Sequence, residues 1–255
     1  MLRVSFNTEG MWASNNGVGL DSPTLFGGEQ SLDHLLIQKD GLTLKYRKLV
    51  GVLLAAPMFQ LSDSPWIEQH LEPECIFVPS PDNKRLQQWC PRTLCTLVPN
   101  KDTRLQRDNV AALGVLVLEL EADRKANWTV GDEDWISGEK SNQVRLARIL
   151  KTWKDLVSDE YRTVAKACLE FDSLIESFDH PDIVSERKGL AVIYKCILEP
   201  LFRHIMKSFG NLAPLFEGMF GPGRSFTAPM NISPSVTAKR VLFDDDDSLP
   251  KCDDQ

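Results

Sequence analysis

Trp66-Ile67-Glu68-Gln69-His70-Leu71-Glu72-Pro73-Glu74-Cys75-Ile76-Phe77-Val78 is a charged turn that runs into an apolar segment. Cys75 to Val78 reads as a short strand, since aromatic and β-branched residues favour extended backbone. The turn carries several titratable groups. Histidine acts as a general base near neutral pH, and His70 close to Cys75 suggests a thiol pair. Both roles need an orienting partner, and none is evident nearby.

Helical periodicity surrounds this stretch. Upstream, Ser31 is an N-cap for a short helix over residues 31–37, with His34 at the third helical position as a surface or half-buried residue. Leu42, Tyr46, Leu49, Val50, Leu53 and Leu54 then recur at three- and four-residue steps and predict a helix over 42–61 with one buried stripe. Lys45, Arg47 and Lys48 are expected on its solvated side. Pro57 removes a backbone donor and predicts a kink or an early end. Downstream, residues 79–107 read as irregular, punctuated by prolines, with Trp89 and Leu94 as anchors. Residues 109–120 are nearly all apolar and predict a helix buried in the middle of a domain. Asp108 is placed at its N-cap, and Gly114 allows close packing. Residues 121–140 are polar, with Trp128 and Trp135 expected to anchor them to the core. Further helices are predicted over 141–157, 160–171 and 183–209, the last kinked at Pro200. No internal repeat is visible.

Composition sets the class. The 255 residues are 42% hydrophobic and 25% charged, which is ordinary for a globular chain able to bury a sizeable core. A net charge of −7 argues against general nucleic-acid binding, which needs a basic surface to displace phosphate counterions. Six scattered cysteines with no CxxC pair read as reduced thiols and predict no metal site. The first residues form no signal-peptide core, and no apolar run reaches membrane-spanning length. These features point to a cytoplasmic protein, or a nuclear one. From residue 210 onward glycine, proline and the run Asp244 to Asp247 predict a disordered acidic tail.

Within Trp66 to Val78, Leu71, Pro73 and Ile76 keep the frame of a protein-kinase catalytic loop, H-R-D-L-K-P-x-N followed by an apolar strand. Glu68 stands at the motif's His position, Gln69 at its Arg, His70 at its Asp, Glu72 at its Lys and Cys75 at its metal-binding Asn. The stretch from Asp108 to Leu120 resembles the kinase D-V-x-x-x-G-V-x-L-x-E-L helix at Asp108, Gly114 and Glu119-Leu120, and Ala167-Cys168-Leu169-Glu170 resembles a later kinase helix. Gln60-Leu61-Ser62 to Pro65-Trp66, Ile76-Phe77, Leu113-Gly114-Val115 and Ala167-Cys168-Leu169 are together similar to a fungal family. That family comprises kinase-like domains of unknown function, often C-terminal to helical domains related to cell-death and prion-control proteins. The resemblance covers roughly residues 30–208. It implies a mainly α (α+β) fold, the large lobe of a kinase with few short strands, over residues 31–209. Asp108 and Gly114 would be structural residues.

The same resemblance implies lost chemistry. Strands average ~5–6 residues, so residues 1–30 supply only a remnant of a small lobe and hinge. No V-A-I-K lysine and no D-F-G are present, and the carboxylate and asparagine of the catalytic loop are replaced. Phosphoryl transfer depends on positioning and metal charge. A non-catalytic, kinase-like interaction module without cofactor is therefore expected, with an unidentified protein partner in fungal signalling or cell-death pathways and an attached or associated N-terminal helical domain. The alternatives are an unconventional enzyme using the degenerate cleft, drawing on His70, Glu72, Glu74 and Asp108, or a fragment of a longer multidomain protein. In the tail, Lys239-Arg240-Val241-Leu242-Phe243 resembles cyclin-docking peptides through Arg240, Leu242 and Phe243, and Ser233-Pro234 resembles a proline-directed phosphorylation site.

Overall fold

A helix apolar on most of its faces has to be enclosed by other elements, and that requirement organises the molecule. The computed structural model describes residues 3–7, 10–14, 29–38, 41–61, 67–69, 71–79, 91–93, 95–97, 103–179 and 183–212. In chain order the elements are β1 (Arg3–Asn7), β2 (Gly10–Ser14), β3 (Glu29–Ser31), α1 (Leu32–Gln38), α2 (Leu44–Leu61), β4 (Ile67–Gln69), β5 (Ile76–Pro79), β6 (Arg92–Thr93), β7 (Cys95–Leu97), α3 (Thr103–Ala122), α4 (Asn142–Thr152), α5 (Asp159–Leu169), α6 (Phe171–Ser177), α7 (Lys188–Val192) and α8 (Glu199–Ser208). The fold is mainly α, with small sheets.

Helix α3 is the central post. Every residue from 110 to 120 is buried, and α2, α4 and α5 pack around it. Gly114 sets the spacing on one side. A Cβ there would lie 2.7 Å from Leu146 Cδ2 and 2.8 Å from Cys168 Cβ, closer than real Cβ contacts, so only glycine lets α4 and α5 come this near. On the α2 side the fit is looser. A Cβ on Gly51 would meet Leu120 Cδ1 at 3.9 Å, an ordinary contact. Helix α3 ends in a left-handed residue, Asp123 (φ 51°), and the Arg124 amide reaches back to the Glu119 carbonyl at 3.1 Å, closing the orphan end.

Several expectations are corrected. Helix α3 begins at Thr103: residues 103–107 are polar and helix-compatible apart from Leu105, and one apolar residue sets no hydrophobic period. Asp108 is therefore inside the helix, not at its cap. Strands β6 and β7 occupy part of the segment read as irregular. Helix α2 is buried from Lys48 to Met58 on all sides instead of along one stripe, so Lys48 is not solvated. Arg47 pairs with Asp123 at 3.2 Å. Pro57 does not end α2, which continues to Leu61. The long final helix is divided: Ile193–Leu198 widens into a π turn just ahead of α8. Pro200 supplies no N–H to the carbonyl four residues back, and a π turn is one way to absorb that loss. Ser31 does act as predicted, its Oγ accepting the His34 amide at 3.3 Å, and His34 is exposed. Trp89, Leu94 and residues 213–255 lie outside the described residues.

The sheet that matters for the site is β3-β5-β6, antiparallel throughout, with Ser31 opposite Phe77 and Ile76 opposite Thr93. Ile76 and Val78 point into the core and Phe77 alternates outward, as a half-covered strand requires. An ion pair between Arg92 and Glu29 ties the two outer strands across β5.

Candidate functional site

Strand β5 and the turn before it carry the catalytic-loop resemblance. Glu68 and Gln69 lie on β4, paired antiparallel with Thr96 and Cys95 of β7. His70 is outside the described residues, as are Arg240, Leu242 and Phe243. Leu71 and Pro73 are buried, and Pro73–Cys75 forms one 3-10 turn that delivers the chain into β5. Glu72 and Cys75 are half-buried and Glu74 is exposed.

The turn is fastened by charge. Lys125, just past the end of α3, donates from Nζ to Glu74 Oε1 at 2.5 Å and also to Asp33 Oδ1 of α1. One ammonium thus joins three elements. Burial acts to raise the Glu74 carboxyl, but the Lys125 hydrogen bond and charge outweigh it and hold the group below its ordinary value. The same pair of carboxylates holds the Lys125 ammonium in its charged form against the opposing effect of burial. A carboxylate so engaged is a poor proton acceptor. Cys75 is poorer still as a nucleophile: burial, then the charges of Glu72 and Glu74, push its thiol up to about 11, so it stays protonated at neutral pH.

Behind this turn lies a second cluster. Glu119 and Arg145 are both buried and meet at 3.0 Å. Glu119 Oε1 also accepts the Ala126 amide at 2.8 Å, and Arg145 Nε donates to the Ala126 carbonyl at 3.0 Å. The guanidinium sits 4.4 Å from the Trp128 ring centroid. Burial pushes the Glu119 carboxyl up to about 7, although Arg145 pulls the other way. Asp108 is a further tie between the same helices. Its two oxygens accept the Asn142 backbone amide at 2.8 Å and the Asn142 side-chain amide at 2.9 Å, closing the first turn of α4. Asp108 thus caps α4 from the side of α3. Gly114, six residues along α3, marks the closest approach to α4 and α5.

The structure brings Asp33, Glu74 and Lys125 together, and Glu119, Arg145 and Ala126. Lys125, Asp33, Arg145 and Asn142 had no motif to announce them. For Lys125, Asp33 and Arg145 charge is the one signal, and the neutral Asn142 offers none. Among the described residues no group of three or more His, Cys, Asp or Glu side chains is arranged to hold a metal ion, and Cys75, Cys168 and Cys196 are free thiols. No helix of the described residues is long and apolar enough to cross a membrane.

The chain belongs to a family described as a domain of unknown function (DUF7580), whose family model matches residues 1–207 and so runs into α8. No curated protein matches the chain.

Proposed function

We propose that this chain is a non-catalytic protein-interaction module built on a kinase-like large lobe, acting in fungal signalling or cell-death pathways. The observation that supports it most is the structural commitment of the turn before β5. Its Glu74 carboxylate is spent on Lys125, and its Cys75 thiol is held protonated. Groups engaged in this way position backbone; they do not move protons or attack substrates. The partner is a protein, with an associated N-terminal helical domain as one candidate, and the acidic net charge disfavours nucleic acid. The cytoplasm or nucleus suits a chain with free thiols.

Calorimetric titration with ATP, with and without magnesium, tests the reading. The expected result is no magnesium-dependent heat. Tight, magnesium-dependent ATP binding would overturn it.

A further inference from the structure

Trp135 does not anchor its loop to the core, contrary to the sequence reading. It is 89% exposed, next in sequence to Ile136 at 77%, and Val130, earlier in the same loop, is 86% exposed. Large apolar side chains are costly to leave in water, and an exposed apolar patch marks an interaction surface. The loop that carries them is nevertheless held firmly.

Asp132 is its keystone. Thr129 and Asp132 form a reciprocal capping box. Arg148 grips the Asp132 carboxylate with two hydrogen bonds, Nε to Oδ1 at 2.6 Å and Nη2 to Oδ2 at 2.9 Å. Burial raises that carboxyl, but the Arg148 and Thr129 hydrogen bonds outweigh it and hold it below its usual value. The Asp132 carbonyl accepts the Ser141 amide at 2.9 Å, where α4 starts. Farther out, Glu133 bridges to Lys140, and the Asp134 amide donates to the Glu139 carbonyl at 2.7 Å. Asp134 Oδ1 accepts the Ile136 and Ser137 amides at 2.8 and 3.0 Å. Gly138, at φ 70°, turns the chain back and donates to the Asp134 carbonyl. Trp128, by contrast, lies under Arg145 and 5.6 Å from Lys140 Nζ. A loop so completely hydrogen-bonded presents its apolar tip with little ordering entropy left to lose on binding.

Charge states what the tip fits. At the exposed surface of residues 130–140 stand two carboxylates, Glu133 and Glu139, against the single ammonium of Lys140. A rim of that sign is repelled by anionic lipid and by a second acidic tip, and it matches lysines and arginines. We infer that residues 130–140 are a docking element that seats Trp135 and Ile136 in an apolar pocket rimmed by basic side chains on a partner protein. This rests on the interaction-module reading and adds the place and the partner's chemistry.

The test is selection of random 12-residue peptides displayed on phage against the full chain, then affinity measurement of the enriched peptides. Enriched peptides should carry lysine or arginine next to aliphatic or aromatic residues. Trp135→Ala should weaken them at least about tenfold, the loss of one central aromatic anchor. Joint Glu133→Lys and Glu139→Lys changes should weaken them several-fold. Both sites are exposed, and circular dichroism of each variant should match the parent. Peptides lacking basic residues, peptides indifferent to Trp135→Ala, or no enrichment at all would each overturn the site. So would Trp135-dependent self-association in light scattering, or Trp135-dependent binding to vesicles of phosphatidylcholine and phosphatidylserine. Peptides that bind elsewhere on the chain would sink this site and leave the interaction module standing. Magnesium-dependent ATP binding would sink the module reading by itself.

Discussion

Two glutamates of α3 stand two residues apart and live under opposite electrostatic regimes. At 3.6 residues per turn they point about 200° apart. Glu119 faces α4 and meets one cation, Arg145, with the Ala126 backbone completing the set. Glu121 faces α2 and the start of α5. Its Oε1 accepts Ser158 Oγ at 3.1 Å, and its Oε2 lies 3.6 Å from Lys48 Nζ. That lysine also touches His204 Nε2 at 2.7 Å and lies 4.9 Å from the centroid of Tyr161, whose ring packs edge-on to His204 at 5.2 Å. Lys48 has only donors, so His204 accepts at Nε2, and only the neutral imidazole can. The α4 side is a buried carboxylate–guanidinium contact in a tight joint. The α2 and α8 side is a looser joint whose hydrogen bond depends on one titratable ring. A single helix is thus clamped on one face by a buried carboxylate beside an arginine and on the other by a lysine that leans on a neutral histidine.

The largest effect should come from breaking the α4 side. Arg145→Met leaves Glu119 buried without its cation and should cost about 3–5 kcal/mol in urea unfolding above pH 7. Glu119 has its folded pKa near 7, above the ordinary 4.5. Its contribution is therefore fully present below pH 4.5 and is lost as pH rises through 7. Without Arg145 that loss should steepen, so the variant's deficit should be smallest below pH 4.5. A deficit that does not change with pH would mean that Glu119 stays neutral throughout.

Packing gives the next contrast. Gly114→Ala places a Cβ against Leu146 and Cys168 and should destabilise by about 1–3 kcal/mol. Gly51→Ala, on the α2 side, meets only an ordinary contact and should be neutral or stabilising by up to about 1 kcal/mol, since alanine favours helix. Equal losses in thermal unfolding would show that the two faces of α3 are packed alike.

The smallest effect belongs to the His204 side. Burial, then the Lys48 charge, lower the His204 pKa below 6.5, while Glu160 and Glu121 oppose them and Lys207 adds to them. A base with a depressed folded pKa contributes stability present above 6.5 and lost as pH falls through the folded value. His204→Gln keeps an acceptor for Lys48 and does not titrate. It should flatten the fall in melting temperature below pH 6.5. An unchanged pH profile would place the acid sensitivity elsewhere.

How far the sequence went differs by element. Helix α3 was legible because eleven successive buried positions leave no room for a strand alternation. Its first turn was not, because Thr103 to Arg107 hold a single apolar residue, Leu105, and so look like loop. Ser31 was readable as a cap because a cap acts on an amide three residues away. Lys48 was misread, since a lysine beside Lys45 and Arg47 looks solvated until α8 and α5 cover it. Trp135 was misread for the opposite reason. Asp132 and Asp134 hold its loop through local hydrogen bonds, so no tryptophan had to be buried to order it.

What the sequence determined by itself is the helical class of the fold and where most of its helices run, though not the separate helix α6 or the division of the last one, because helical periodicity and capping act within a few residues. Which polar groups meet was decided only by the tertiary structure. Glu119 finds Arg145 across 26 positions, Glu74 finds Lys125 across 51, and Lys48 finds His204 across 156. Such pairings depend on the path of the whole chain, and a carboxylate carries no local mark of the cation that will face it when water is excluded.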